Sequence, residues 1–367
     1  MEVDGGAVRR NLELVRSHVG AGARVVPIVK CDGYGLGAGL VVEALAPARP
    51  FAYGVATVDE GRALRALGVR VPVMVLCPAP PGDLPRMARA RLVPTISDLE
   101  SLGVLANAAL HAKGRAPLLF QLEIDTGMGR SGFVLSGAAQ WWPEVRRAVA
   151  SPGLRLLGVF THLHSADEAD LGSARRQIER FDDFVASVEG IPSDALLHVA
   201  NSAAALRLDL GAANAVRPGI FLYGGSVGHG APTPETVAAL RARVVMVREA
   251  VPGATVGYGA TYRARGRERW ATVAIGYGDG LPRELGNRGW ALLRGRRSPI
   301  VGRISMDTTV VRVAAEVAVG DPATFLGGDG GGEIALGEVA ELADTVAHQV
   351  LTGLSARLPR IPMEQCR

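Results

Sequence analysis

A lysine ends the β-branched run Val25-Val26-Pro27-Ile28-Val29-Lys30, and Gly33, Gly35 and Gly37 follow it closely. Such a run reads as a short, fully buried strand. A Gly-rich turn at its end lies at the mouth of a sheet or barrel, where α/β folds keep their sites. An amine held there is partly desolvated, which lowers its pKa and fits it for Schiff-base chemistry. Taken alone, the segment also reads as a solvated lysine beginning a loop.

Further chemistry-bearing side chains fall at the ends of later apolar runs. Glu123-Ile124-Asp125-Thr126-Gly127-Met128-Gly129-Arg130 puts an arginine just past a strand, able to clamp a carboxylate bidentately. Phe160-Thr161-His162 puts an imidazole at the next strand end, where it is structural or lies against a planar ligand. In His198-Val199-Ala200-Asn201-Ser202, Ser202 opens a helix, so its hydroxyl caps that helix or helps hold a phosphate. Arg217-Pro218-Gly219-Ile220 ends another strand with a guanidinium. Either it forms a structural ion pair, or it faces a pyridine nitrogen and keeps it unprotonated, because two cations do not share a site comfortably. Gly219 would let backbone approach a phosphate. Tyr258, Tyr262 and Tyr277 lie among glycines, as turn residues or as a general base of lowered pKa. Met306, in Gly302-Arg303-Ile304-Ser305-Met306-Asp307, fills core or lines a small apolar pocket.

The elements that must position these groups alternate. Strand-like runs at 25–30, 51–57, 71–76, 92–97, 117–125, 154–163, 195–200 and 215–220 are separated by amphipathic helical patterns. Those patterns span 38–47, 59–67, 83–90, 98–112, 137–150, 172–189 and 202–207. This alternation predicts a (β/α)8 TIM-like barrel, with a doubly wound open sheet as the alternative. Past the turn-rich stretch 228–234 the pattern turns to β-branched segments at 242–249, 270–276, 290–293, 299–304, 308–313 and 322–326. One helix over 336–344 and a tail strand follow. The expected fold class is α/β plus β: residues 5–232 form the barrel, and 233–367, with an opening strand at 1–4, form a mostly β domain.

A chain of 367 residues with 48% hydrophobic and 21% charged residues has ample material for two domains. The net charge of +4 comes without any long Lys/Arg run, so nucleic acid is not an expected partner. Cys31, Cys77 and Cys366 are few and far apart, with neither metal-ligand spacing nor a disulfide framework. No apolar stretch is long enough for a bilayer, and no signal peptide opens the chain, so the expected location is the cytoplasm.

Together and in this order, the Lys30–Gly37 motif, Asp125-Thr126-Gly127-Met128-x-Arg130, His198-x-x-Asn201-Ser202, Arg217-Pro218-Gly219-Ile220 and Gly302–Asp307 resemble the alanine racemase family. The resemblance implies pyridoxal 5'-phosphate as cofactor, carried covalently on Lys30, and a homodimer with shared active sites. Lys30 and Tyr258, the latter from the other subunit, would be the two bases on opposite faces of the substrate. Tyr34, Ser202, Gly219 and Ile220 would bind the phosphate, and Asn201 would also contact the cofactor, with His162 against the ring and Arg217 at its nitrogen. Arg130 and the backbone around Met306 would hold the carboxylate of a small amino-acid substrate. Asp167, Tyr262, Tyr277, Arg283 and Arg303 would line or gate the access path.

The chain departs from the family pattern at four positions. Glu123 replaces a lysine that becomes carbamylated in many members, and could brace Arg130 directly. Phe160 replaces a tyrosine that ends a histidine–arginine hydrogen-bond chain, so His198 must find another partner. Ala356 replaces a phosphate-binding tyrosine, and Leu36 replaces a histidine. The leading expectation is interconversion of L- and D-alanine. A relative acting on serine, another amino acid or a larger amine is the alternative. A non-catalytic carrier of the cofactor would lack the second domain that bears Tyr258.

Overall fold

The computed structural model describes residues 1–110 and 116–363. The end of the helix expected over 98–112, the last residues of the second domain and Cys366 lie outside the described residues. Six parallel strands run side by side: Tyr53–Val55, Val73–Val75, Val93–Ile96, Leu118–Asp125, Leu154–Phe160 and Leu196–His198. Two short strands, Ala215–Val216 and Arg24–Val25, pair parallel with each other. Bridges from Ala200 to Val216 and from Ile28 to Gly54 join them to the six and close an eight-stranded ring.

Helices between the strands follow the expected pattern closely. Val58–Ala66 shows why: Thr57 accepts the Glu60 N–H, Glu60 reaches back to the Thr57 N–H, and the reciprocal cap fixes the helix start. Ser202–Arg207 begins where Asn201 accepts the Ala204 N–H at 3.0 Å.

The second sheet has nine strands built on the long strand Ala238–Ala250. Its first half pairs with Pro322–Gly328 and its second half with Glu268–Val273, with a register shift in each ladder. The opening strand Glu2–Val3 belongs to this sheet, antiparallel to the long strand and parallel to Ile361–Pro362. The strand expected over 299–304 is instead Arg296–Pro299, hairpinned to Trp290–Leu293 through Arg294 and Gly295, both at positive φ. A helix at Ala347–Thr352 and a hairpin, Thr255–Val256 with Tyr262–Arg263, were not expected. One continuous apolar core runs through barrel and second sheet, and a smaller cluster around Trp270 and Val256 underlies that hairpin.

Candidate active site

The backbone after Lys30 holds the longest run of positive φ among the described residues. Val29 makes the last barrel bond, donating to the Gly54 carbonyl at 2.8 Å. Beyond Lys30 the chain turns left-handed: φ is +52° at Cys31, +54° at Asp32, +63° at Gly33 and +56° at Tyr34. Three of these four residues carry a Cβ, at a cost of about 1–2 kcal/mol each. Local bonds offset it. Gly35 N–H donates to the Cys31 carbonyl at 2.7 Å, Ala38 N–H to the Asp32 carboxylate at 2.7 Å, and Arg360 caps the Gly35 carbonyl.

The turn delivers Tyr34 into the barrel mouth, where its ring stacks on Tyr223 at 4.4 Å. Tyr223 in turn donates to the Ile28 carbonyl at 2.8 Å. Burial pushes the pKa of the Tyr34 phenol upward, so it stays a neutral donor. Its hydroxyl fills the space that a side chain at Gly219 would need: a Cβ there would lie 2.3 Å from it. Beside it, Ser202 Oγ accepts the Gly219 N–H at 2.7 Å and the Phe221 N–H at 3.4 Å, which leaves the hydroxyl proton free to donate. Asn201 spends its side-chain oxygen on the helix cap, and Ile220 is buried at the start of the next turn.

Arg217 is buried at the end of its strand, and among the described residues no ion pair joins it to a carboxylate. Its Nη atoms donate to the carbonyls of His198 at 2.5 Å and Thr161 at 2.8 Å, and to His198 Nδ1 at 2.9 Å. Weaker 3.4 Å contacts reach His162 Nδ1 and the Val199 carbonyl. Among the described residues Nε takes none of these acceptors. Burial lowers the guanidinium pKa to about 10, Glu123 opposes that, and Arg130 adds to it; the group stays cationic at neutral pH.

The arginine dictates the state of both histidines. A guanidinium can only donate, so His198 Nδ1 must accept and its proton sits on Nε2. That Nε2–H is buried with no partner among the described residues. Among the described residues the expected second partner for His198 is absent. Its ring lies face to face on Phe160 at 5.0 Å instead, with Arg217 over the same phenyl ring at 5.1 Å. His162 is held neutral: burial, then Arg217, Arg130 and Lys30 bring its pKa down to about 3.

Arg130 follows a turn folded by Asp125, whose carboxylate accepts the Gly127 and Gly129 N–H groups at 2.9 and 3.1 Å. The expected brace between Glu123 and Arg130 is absent among the described residues. Glu123 is buried and accepts from Ser97 at 3.1 Å, and Arg130 stays exposed. Asp167 lies exposed at the rim. His348, a residue that drew no expectation, stands 5.9 Å from the Tyr34 ring and feels both Lys30 and Asp167. Only the fold brings it there, from a helix more than three hundred residues away.

The second sheet carries a separate group. Tyr258 is 70% exposed at the tip of its hairpin, and no hydrogen bond or ring contact joins it to the Lys30 group among the described residues. Beneath it, Arg303 approaches Gly259 closely. Tyr277 and Gly278 donate backbone N–H bonds to the Ser305 and Met306 carbonyls at 3.0 and 2.8 Å. Arg357 ties the same turns together by bonds to Asp279 and Asp307 at 2.7 and 2.8 Å. Tyr262 donates to Glu268 at the base of the hairpin, and Arg283 is exposed nearby in sequence.

A closed eight-stranded barrel with lysine, arginine, histidine and serine converging at its strand ends, followed by a mostly β unit, is the frame of a barrel enzyme. The model of the alanine racemase N-terminal domain matches residues 3–227, and that of its C-terminal domain residues 237–362. The chain belongs to the alanine racemase family, enzymes of the amino-acid racemase class. The alanine racemase of Geobacter sp. (strain M21) is 37% identical, with 98% of this chain and 97% of that protein covered. The alanine racemase structure from a D-cycloserine-producing Streptomyces lavendulae superposes with a TM-score of 0.93 at 31% identity, covering 99% of this chain and 96% of that one. The Bartonella henselae alanine racemase, solved with covalently bound pyridoxal phosphate, gives 0.87 at 27% identity, covering 99% and 98%.

Proposed function

We propose that this chain is a pyridoxal-phosphate-dependent alanine racemase. In this reading it works as a homodimer in which Lys30 of one copy and Tyr258 of the other move the substrate α-proton. Residues 5–232 are taken as the cofactor-binding barrel, and 233–367 with the opening strand as the unit that supplies the tyrosine. The observation that carries the reading is the Arg217 site: a buried, cationic guanidinium held through its Nη atoms, with a cradle of neutral donors at the same barrel mouth. Tyr34, Ser202 and the side-chain-free Gly219 suit a phosphate, and the chemistry of that donor set fits the cofactor.

Pyridoxal phosphate, when bound, supplies a conjugated ring that withdraws electron density from the substrate Cα. Everything else falls to this chain's residues. Lys30 Nζ would hold or return a proton on one face, and the Tyr258 hydroxyl of a second copy would serve the other. Arg217 would bar a proton from the ring nitrogen, since the site already holds its charge; this keeps the ring a modest electron sink and disfavours side reactions. His162, neutral, would lie against the ring. Arg130 and the backbone near Met306 would orient the carboxylate, and Asp167, Tyr262, Tyr277, Arg283 and Arg303 would line the access path.

The test is direct. The purified protein should be yellow and bleach with borohydride, and Lys30→Ala should lose the colour. Tyr258→Phe should keep the colour and lose interconversion in a chiral assay with alanine, serine and bulkier amines. Mixing the two inactive variants should restore activity, because a mixed dimer would contain one complete site. No recovery would remove the shared-site reading, and activity confined to serine or larger amines would change the substrate.

A further inference from the structure

We propose that Glu60 is a positioning residue for Lys30, acting through the Cys31 backbone N–H to hold the left-handed turn. This inference rests on the cofactor reading above only for its affinity measurement. The observation is an outlier and what restrains it. Four successive positive-φ residues follow Lys30, three of them with a Cβ. Such a conformation persists only where its surroundings over-determine it.

On the Lys30 side of the turn, a Gly33 N–H bond to the Val29 carbonyl at 3.0 Å is joined by the Glu60 carboxylate. Its Oε1 accepts the Cys31 N–H at 2.7 Å, while its Oε2 accepts the Ala56 and Thr57 N–H groups at 2.8 and 3.1 Å. One side chain thus serves two ends. It closes the cap of the helix Val58–Ala66 and pins the residue next to the reactive amine. All three donors are backbone amides, so the site needs an acceptor at both oxygens. Glutamine would turn an N–H donor toward at least one of them. The shorter aspartate could serve the adjacent cap but would not span to Cys31.

Helix capping alone predicts a different outcome, which makes the two roles separable. Thr57→Val removes the other half of the cap, the 3.2 Å bond from Glu60 N–H, and leaves the Cys31 bond intact. Hydrogen exchange of peptide 28–37 in the full-length, cofactor-free protein should quicken in Glu60→Gln and in Glu60→Asp, but not in Thr57→Val. Pyridoxal phosphate titrated into the same proteins should bind about tenfold or more weakly to the Glu60 variants, the scale of one hydrogen bond to a charged group. Thr57→Val should bind it as wild type does.

Equal exchange and equal affinity in the Glu60 and Thr57 variants would reduce Glu60 to a helix cap and overturn the proposal. Should Glu60→Gln fail to fold, Glu60→Asp carries the same comparison with the charge kept. If the wild-type protein takes up no pyridoxal phosphate at Lys30, the functional reading falls, and the exchange comparison still decides the role of Glu60.

Discussion

Acid should destabilise this protein through one imidazole more than any surface charge. His162 has its pKa brought down to about 3 by burial first, then by Arg217, Arg130 and Lys30. In an unfolded chain the same ring titrates near ~6.5. The folded value lies below the unfolded one. Stability is therefore intact above ~6.5 and is lost as pH falls toward the folded pKa, where the unfolded chain binds a proton the folded chain refuses. At pH 5 the deficit from His162 is about 2 kcal/mol, at about 1.4 kcal/mol per pH unit. His198, fully buried beside the same guanidinium, has its pKa lowered too and adds in the same direction. Two measurements check this. Nitrogen-resolved NMR of labelled histidine should show the His162 ring neutral at pH 5. Denaturant midpoints at pH 7 and pH 5 should fall further in wild type than in His162→Gln. A His162 ring titrating in the ordinary range, or a variant that loses as much stability as wild type, would refute the reasoning.

Gly219→Ala places a Cβ 2.3 Å from the Tyr34 hydroxyl, so Tyr34 must leave its stack on Tyr223. We expect a stability cost of about 1–3 kcal/mol and loss of cofactor retention in equilibrium dialysis. Phe160→Leu removes the ring that both His198 and Arg217 face, and should cost about 1–3 kcal/mol, read as a lower denaturant midpoint. Arg357→Ala breaks the ties to Asp279 and Asp307 that brace the Met306 turn. Arg357 and Asp307 are exposed while Asp279 is buried, so the loss should be about 1–3 kcal/mol, most of it from the unpaired Asp279 carboxylate. KM for alanine should rise while pyridoxal phosphate affinity holds.

The placement of Lys30, His162, Ser202 and Arg217 was legible because each ends an apolar run that the barrel buries. Helix limits were legible for a similar reason: caps such as Thr57 and Glu60 are written in residue types. The left-handed turn was not, since Cys31 and Tyr34 carry no signal for positive φ, Asp32 only a weak one, and all three hold it under tertiary restraint. His348 and Tyr223 reach the site through packing alone, which no local spacing encodes. The brace expected from Glu123 is absent among the described residues because charge sign identifies a possible pair without giving its reach; the carboxylate accepts from Ser97 instead. The strand near 299 lies earlier than expected because Arg294 and Gly295, both at positive φ, close a two-residue hairpin turn.

The strand Glu2–Val3 lies between neighbours that are made long after it, at Ala238–Ala239 and Ile361–Pro362. During synthesis the barrel segments can therefore assemble while their leading residues still wait for both flanks. The amino group of Met1, bonded to the Pro359 carbonyl at 3.0 Å, fastens the seam. Loosening the pairing of Glu2–Val3 with either flank should slow the final zippering of the second sheet, and leave the earlier growth of the barrel untouched.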